Sequence, residues 1–350
     1  MSRPPHHTPT GFRNPWPGAE PRSFRDVFRW SLARWKASAR GELRDDSRFE
    51  RATPSFARPR AEPHRLAATW VGHSTVLVQA GGLNILTDPM WSARASPLPW
   101  AGPERWVEPG VALDALPPLD LVLVSHNHYD HLDDATVRQL AARHPEAAWV
   151  APLGLERWLR GRGARAVTEL DWWEETRIPL PAATATATVT ATPAQHFSAR
   201  GLGDRMRTLW CGFAVAIPLP GSTGARRIFF AGDTGFHPEW RAIGERLGPF
   251  DLSLIPVGAY EPRWFMRPVH MNPEEAVDAF LALHDGARAD DASTAAPRRH
   301  GAMLPIHWGT FKLTDERMDE PPARTRSAWT RAGLDARELW VMRHGETREC

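Results

Sequence analysis

The segment Ser125-His126-Asn127-His128-Tyr129-Asp130-His131 packs three imidazoles and a carboxylate close together. These are the ligand types that hold zinc and similar divalent ions. An apolar run, residues 119–124, stands directly before them. A strand that ends in such a cluster presents every ligand at one sheet edge, where a substrate can reach them. Adjacent histidines are costly to charge together, and a metal removes that cost by binding each one neutral.

Three later positions share the same context. His196 follows Thr192-Pro193-Ala194-Gln195, Asp233 follows Ile228-Phe229-Phe230-Ala231-Gly232, and His307 follows Ala302-Met303-Leu304-Pro305-Ile306. Alone, each has an ordinary reading: a hydrogen-bonded histidine beyond a strand, or a turn aspartate in Gly-Asp-Thr-Gly. Beside the 126–131 cluster they rise together. The candidate metal ligands are then five imidazoles (His126, His128, His131, His196, His307) and two carboxylates (Asp130, Asp233). That is enough for two ions.

Those ligands need strands to carry them. Residues 69–79 and 83–87 read as strands joined at Ala80-Gly81-Gly82, a hairpin signal. Further strands are predicted at 147–151, 183–192, 209–218, 227–231, 252–256, 302–306 and 339–343. The alternating Thr-Ala run at 184–190 looks low in complexity, but its period of two and its β-branched residues suit a half-buried strand. Helices are predicted at 134–143, 153–160, 238–246, 273–283 and 323–332. The fourth has a clear start: Asn272 as cap, Pro273 in the first turn and Glu275 to close a capping box. Residues 285–300 read as a solvated loop. Strands in runs, with helices between and after them, predict two sheets packed face to face with helices outside.

The chain starts differently. Residues 1–21, polar and rich in proline and histidine, read as a flexible arm. Residues 22–64 read as an extension holding an amphipathic helix at 22–36. There Phe24, Val27, Phe28, Leu32 and Trp35 recur at helical spacing, with Arg25, Arg29 and Lys36 elsewhere on the wheel. Residues 65–350 form the predicted catalytic domain.

Composition narrows the classes. With 43 basic and 41 acidic residues the net charge is +2, which gives no field for nucleic acid. The two cysteines, Cys211 and Cys350, make neither a disulfide framework nor a thiolate metal site. There is no signal-peptide pattern and no apolar run of about 18 residues. The expectation is a cytoplasmic protein with peripheral membrane contact.

The motif series as a whole resembles the metallo-β-lactamase fold superfamily. Within it the chain is similar to the N-acyl-phosphatidylethanolamine-hydrolysing phospholipase D family. The matching segments run collinearly over roughly residues 65–347. They include Trp70-Val71-Gly72-His73-Ser74-Thr75, Leu86-Thr87-Asp88-Pro89, the 125–133 cluster, Phe230-Ala231-Gly232-Asp233-Thr234-Gly235 and Ile306-His307-Trp308-Gly309. The most family-specific is Gly258-Ala259-Tyr260-Glu261-Pro262-Arg263-Trp264-Phe265-Met266.

The resemblance implies an α/β fold, an αββα sandwich, with two zinc ions. His126, His128 and His196 would hold one, Asp130, His131 and His307 the other, and Asp233 would bridge both. Ligand type does not separate zinc from iron or manganese. The implied reaction releases N-acylethanolamine and phosphatidate from a phospholipid substrate. Asp88 would accept the free N–H of a ligand histidine. Arg200 would meet the phosphate, and His270 and Tyr260 would donate near the leaving group. His73, inside a strand pattern, reads as structural. Trp264, Phe265, Met266 and the helix around Phe28 and Trp35 are candidates for lipid contact, against core packing. A homodimer is a further expectation. The alternatives are a lactonase or small-molecule phosphodiesterase on the same fold, and a non-enzymatic metal-binding protein.

Overall fold

The computed structural model describes residues 3–41, 43, 45–181, 185–201, 203–286 and 301–350. The chain opens with a small hairpin, β1 (His7–Thr8) and β2 (Gly11–Phe12), followed by helix α1 (Phe24–Ala39). The first sheet is built from β3 (Leu66–Gly72), β4 (Thr75–Ala80), β5 (Leu83–Thr87) and β6 (Leu121–Leu123). After α2 (Asp134–Arg143) it continues with β7 (Ala148–Pro152), then α3 (Glu156–Arg160) and β8 (Ala166–Leu170). The second sheet holds β9 (Glu175–Pro179), β10 (Thr186–Thr192), β11 (Gly212–Pro218) and β12 (Ala225–Phe230). Helix α4 (Trp240–Leu247), β13 (Leu252–Pro256), α5 (Arg263–Met266), α6 (Pro273–Gly286) and β14 (Ala302–Ile306) follow. Helix α7 (Glu320–Arg331) and β15 (Thr347–Glu349) complete the chain, and β15 returns to the first sheet.

Strand order is β15-β3-β4-β5-β6-β7-β8 in one sheet and β14-β13-β12-β11-β10-β9 in the other. Alternation sets what each face buries. In β4, Val76 and Val78 join a core shared with Val189, Phe213 and Ile228 of the facing sheet. Leu77, between them, points the other way and packs with Val137 and Leu140 of α2. Ala276, Phe280 and Leu283 of α6 are buried in the main core. The result is the expected αββα sandwich. The Thr-Ala strand obeys the same rule, with Ala187, Val189 and Ala191 fully in the core. The Asn272 capping box also forms: Glu275 N–H donates to Asn272 Oδ1 at 2.8 Å, and Asn272 N–H to Glu275 Oε2 at 3.2 Å.

Several expectations need correction. The predicted strand at 69–79 is two strands, broken where Gly72 and His73 take φ of 139° and 55°. Both halves are buried, so no polarity change marks the break. Residues 339–343 make only an isolated bridge, Leu339 to Met303. Strands β8 and β9 were not predicted; they are sheet edges with polar sequence, Thr168-Glu169 and Glu175-Thr176-Arg177. The arm expected to be flexible is docked. His6 stacks on Trp172 at 4.1 Å, and Phe12 N–H donates to Met206 O at 2.7 Å. Composition missed this because the partners lie far along the chain. The loop at 285–300 falls, from residue 287 on, outside the described residues.

Candidate metal centre

Parallel pairing of β5 with β6, and of β12, β13 and β14, points these strands the same way within each sheet. Strand β10 shares the direction of β12, because each is antiparallel to β11. Residues just beyond the C-terminal ends therefore gather at one rim, the usual ligand-binding edge of such sheets. Asp88 follows β5, the 126–131 cluster follows β6, His196 follows β10, Asp233 follows β12 and His307 follows β14.

Two donor groups form there. In the first, His128 Nδ1 lies 2.8 Å from His126 Nε2 and 3.2 Å from His196 Nε2. In the second, Asp130 Oδ2 lies 3.3 Å from His131 Nε2 and 3.4 Å from His307 Nε2. Asp233 Oδ2 stands between them. It is 3.0 Å from both His131 Nε2 and His307 Nε2, and 4.0 and 3.9 Å from His126 Nε2 and His196 Nε2. One carboxylate oxygen thus reaches both groups.

The donor set suits divalent ions. His131 Nε2, His307 Nε2 and Asp233 Oδ1 are buried without a hydrogen-bond partner. Buried lone pairs of this kind need a cation or a donor. Burial pushes His128 down to about 3 and His196 to about 4, so both stay neutral, as ligands must. Burial would also lower His307, but the Asp233 and Asp130 carboxylates raise it to about 9. Burial would raise Asp233; the neighbouring His131 and His307 hold it well below the carboxylate range instead. A metal can take over that compensation of charge.

Outer contacts orient the rings. His131 Nδ1 faces Asp88 Oδ2 at 2.6 Å, and the same oxygen accepts from Ser125 Oγ at 2.6 Å. Ser125 N–H donates to Asp88 Oδ1 at 2.7 Å. His126 Nδ1 lies 2.9 Å from Ser125 Oγ, and His196 Nδ1 donates to Val269 O at 2.9 Å. Left-handed backbone occurs at this rim, as it does at Trp173, Met206 and Ala259 elsewhere. His73, Asp88 and His307 all have positive φ, at 55°, 29° and 64°. Gly232, with φ of 60°, is required for another reason: a Cβ there would lie 2.6 Å from Ser125 Cβ.

This rim architecture has known counterparts. A family model described as a beta-lactamase superfamily domain matches residues 83–308. A Caenorhabditis elegans N-acyl-phosphatidylethanolamine-hydrolyzing phospholipase D 1 is 43% identical over 78% of this chain and 71% of its own length. The chain belongs to the N-acyl-phosphatidylethanolamine-hydrolysing phospholipase D family of the metallo-β-lactamase superfamily. A mitochondrial Saccharomyces cerevisiae member is 34% identical over 72% of this chain, which spans about half of it, 49%. A metallo hydrolase from Ignicoccus hospitalis shares the fold, with a TM-score of 0.57 at 24% identity, over 82% of this chain and 98% of that one. The chain is thus a metal-dependent hydrolase by family, with a His/Asp cluster suited to two ions.

Within this hydrolase, His270 comes to the centre. Its ring is 5.1 Å from His196 and 5.2 Å from His307, and its Nδ1 is unpartnered. Two other expectations are overturned by position. Arg200 does not face the ligands' cavity. Its Nη1 donates to Asn127 O at 3.0 Å and Leu132 O at 2.6 Å, and the guanidinium lies over Tyr129 and Trp158. It clamps the ligand loop. Tyr260 is buried, and its hydroxyl donates to Glu320 Oε1 at 2.7 Å. Burial and the Glu320 carboxylate push that phenol up, which makes it a poor acid.

His73, expected to be structural, borders the centre. Its Nε2 lies 2.9 Å from Asp130 Oδ2, beside the second donor group. Asn14 was not among the expected site residues. This buried arm residue donates from Nδ2 to Ala19 O at 2.7 Å and to the carbonyl of His196 at 2.8 Å. Nothing in its local sequence names a partner so distant in the chain.

Proposed function

We propose that the chain is a zinc-dependent phosphodiesterase that hydrolyses N-acyl-phosphatidylethanolamine-type phospholipids, releasing N-acylethanolamine and phosphatidate. One observation carries the reading: a single cavity of about 280 Å³ joins the metal-ligand rim to an apolar wall. His128, Asp130, His196, Asp233 and His270 form its polar end. Val27, Trp30, Phe197, Phe265, Met266 and Val269 form the apolar wall, and Arg22 and Arg205 stand at its lining as well. A lactone or a small phosphodiester has little use for such a wall, whereas an acyl chain does. The family relatives named for this activity support the same substrate class.

When bound, two divalent ions supply a nucleophile at neutral pH and stabilise charge on phosphate oxygens. The protein's residues prepare that chemistry. His126, His128 and His196 would hold one ion and Asp130, His131 and His307 the other, with Asp233 within reach of both sets. Asp88 and Ser125 fix the His131 and His126 rings. His270, kept neutral by burial, offers a ring N–H to the leaving oxygen. Arg205 replaces Arg200 as the cation for an anionic head group. It lines the cavity, and its guanidinium lies over Phe197 at 5.5 Å.

Helix α1 brings the lipid surface to this cavity. Trp30 stacks on Phe265 at 5.0 Å and donates from Nε1 to Asp315 at 2.9 Å, which seats one face of the helix. Phe24, Phe28 and Trp35 are 74%, 71% and 67% exposed on another face. With Arg25 and Arg29 alongside, that face suits a peripheral membrane contact. Phe265 and Met266 are buried behind the helix, and Trp264 is exposed. No helix among the described residues is long and apolar enough to cross a membrane.

The decisive experiment incubates the zinc-loaded chain with vesicles of N-acyl-phosphatidylethanolamine, phosphatidylethanolamine or phosphatidylcholine, and separately with simple lactones. Mass spectrometry should detect N-acylethanolamine and phosphatidate from the first. Lactone opening without any phospholipid product would replace this reading by the lactonase one.

A further inference from the structure

The histidine-rich start of the arm meets the domain at a single carboxylate. His6 Nε2 lies 2.7 Å from Asp171 Oδ1, and His7 Nε2 lies 2.7 Å from Asp171 Oδ2. Consecutive residues of an extended chain normally point in opposite directions. Here both imidazoles converge, with ring centroids 4.6 Å apart. His6 is buried and stacked on Trp172 at 4.1 Å, which fixes its ring plane. The hairpin pairing His7↔Phe12 and the edge contact of Phe12 at 5.0 Å hold His7. The three ligand atoms lie within 4.8 Å of one another.

We propose that His6, His7 and Asp171 form a further divalent-cation site, apart from the hydrolytic centre, which fastens the arm to the domain. Two imidazoles and a carboxylate, with water in the fourth position, suit zinc or a similar borderline cation. Ligand atoms about 2.1 Å from a tetrahedral ion stand about 3.4 Å apart. The 2.7 Å separations must therefore open by about 0.7 Å. His7 and Asp171 are only partly buried and can turn to provide this. Each ring proton then resides on Nδ1, leaving Nε2 for the ion. Burial would raise the Asp171 carboxyl, but the His6 contact and the Trp172 N–H, 2.8 Å from Oδ1, hold it low and ionised.

The site would act on the hydrolytic centre through the arm. Asn14 lies a few residues beyond the hairpin and bonds to the carbonyl of His196. An ion at His6, His7 and Asp171 fixes the segment that supports this ligand.

The test compares the full chain with His6→Asn/His7→Asn. Both are stripped with chelator, titrated with zinc, washed and counted by elemental analysis. The wild type should retain one more equivalent than the double variant, and His7→Asn alone, at a partly exposed position, should lose the same equivalent. Trypsin cleavage after the exposed Arg13 gives a second readout. Zinc at about ten times Kd should slow it roughly tenfold in the wild type, and not in the variants. Equal zinc capacity in wild type and variants overturns the proposal and leaves a hydrogen-bonded clasp. Equal zinc protection of Arg13 in all chains also overturns it.

Discussion

Replacing Asp88 with Asn is the sharpest probe of how the centre is built. The side chain is fully buried and has three short contacts: Ser125 N–H at 2.7 Å, Ser125 Oγ at 2.6 Å and His131 Nδ1 at 2.6 Å. Asparagine keeps the shape and one acceptor oxygen. That oxygen can still take the Ser125 N–H. The amide nitrogen must then face His131 Nδ1, where both groups would present a proton. His131 escapes by switching tautomer, which places its proton on Nε2, the atom 3.0 Å from Asp233 Oδ2. That proton must be displaced before an ion can bind. A hydrogen bond to a charged group is worth about 1.5–3 kcal/mol. Loss of an outer partner to a ligand histidine costs roughly 10–100-fold in metal affinity, or about 1.4–2.8 kcal/mol. Chelator competition with the full chain, reading free zinc at equilibrium, measures this directly. Thermal unfolding of the metal-free variant, by contrast, should shift little, because shape and the Ser125 contact persist. Zinc affinity within a factor of about two of wild type would refute the tautomer argument.

Arg200→Ala should destabilise the chain by about 1.5–3 kcal/mol in urea, because it removes a charged donor from the Asn127 and Leu132 carbonyls. A large rise in KM with unchanged stability would return Arg200 to the phosphate. Asn14→Ala should cost about 1–3 kcal/mol of stability and weaken metal retention, since one of its bonds ends on the Ala19 carbonyl and the other on that of His196. Unchanged retention would show that the arm does not support that ligand. His237 lies between Trp16 and Trp240, and burial lowers it to about 3. The unfolded chain takes up its proton near pH 6.5 and the folded chain only near 3, so its stability contribution is complete above pH 6.5 and is lost as pH falls. His237→Phe should therefore shrink the stability difference between pH 7 and pH 5 by about 2 kcal/mol, and an unaltered difference in urea titrations would contradict this.

The sequence by itself named the candidate ligands that gather at the rim. His126, His128, Asp130 and His131 sit in one short turn after β6, so their convergence is local and legible. His196, Asp233 and His307 were legible for a related reason: each follows an apolar strand, and such strands end at one rim when they run the same way. The layers followed from the order of strands and helices, the Asn272 cap from its capping-box residues, and the Thr-Ala strand from its period of two. What the sequence left undecided depends on contacts between distant segments. Arg200 and Tyr260 are polar residues near the motifs, and only packing shows their polar atoms satisfied by Leu132 O and Glu320. The polar arm has no core of its own, so composition assigned it to solvent. Tertiary structure instead sets His6 and His7 on Asp171, and Asn14 on the carbonyl of His196. Type and spacing can mark a ligand because coordination chemistry belongs to the side chain. Which oxygen stands between two sets of nitrogens, and which cation faces the cavity, is decided by where the two sheets bring their edges together.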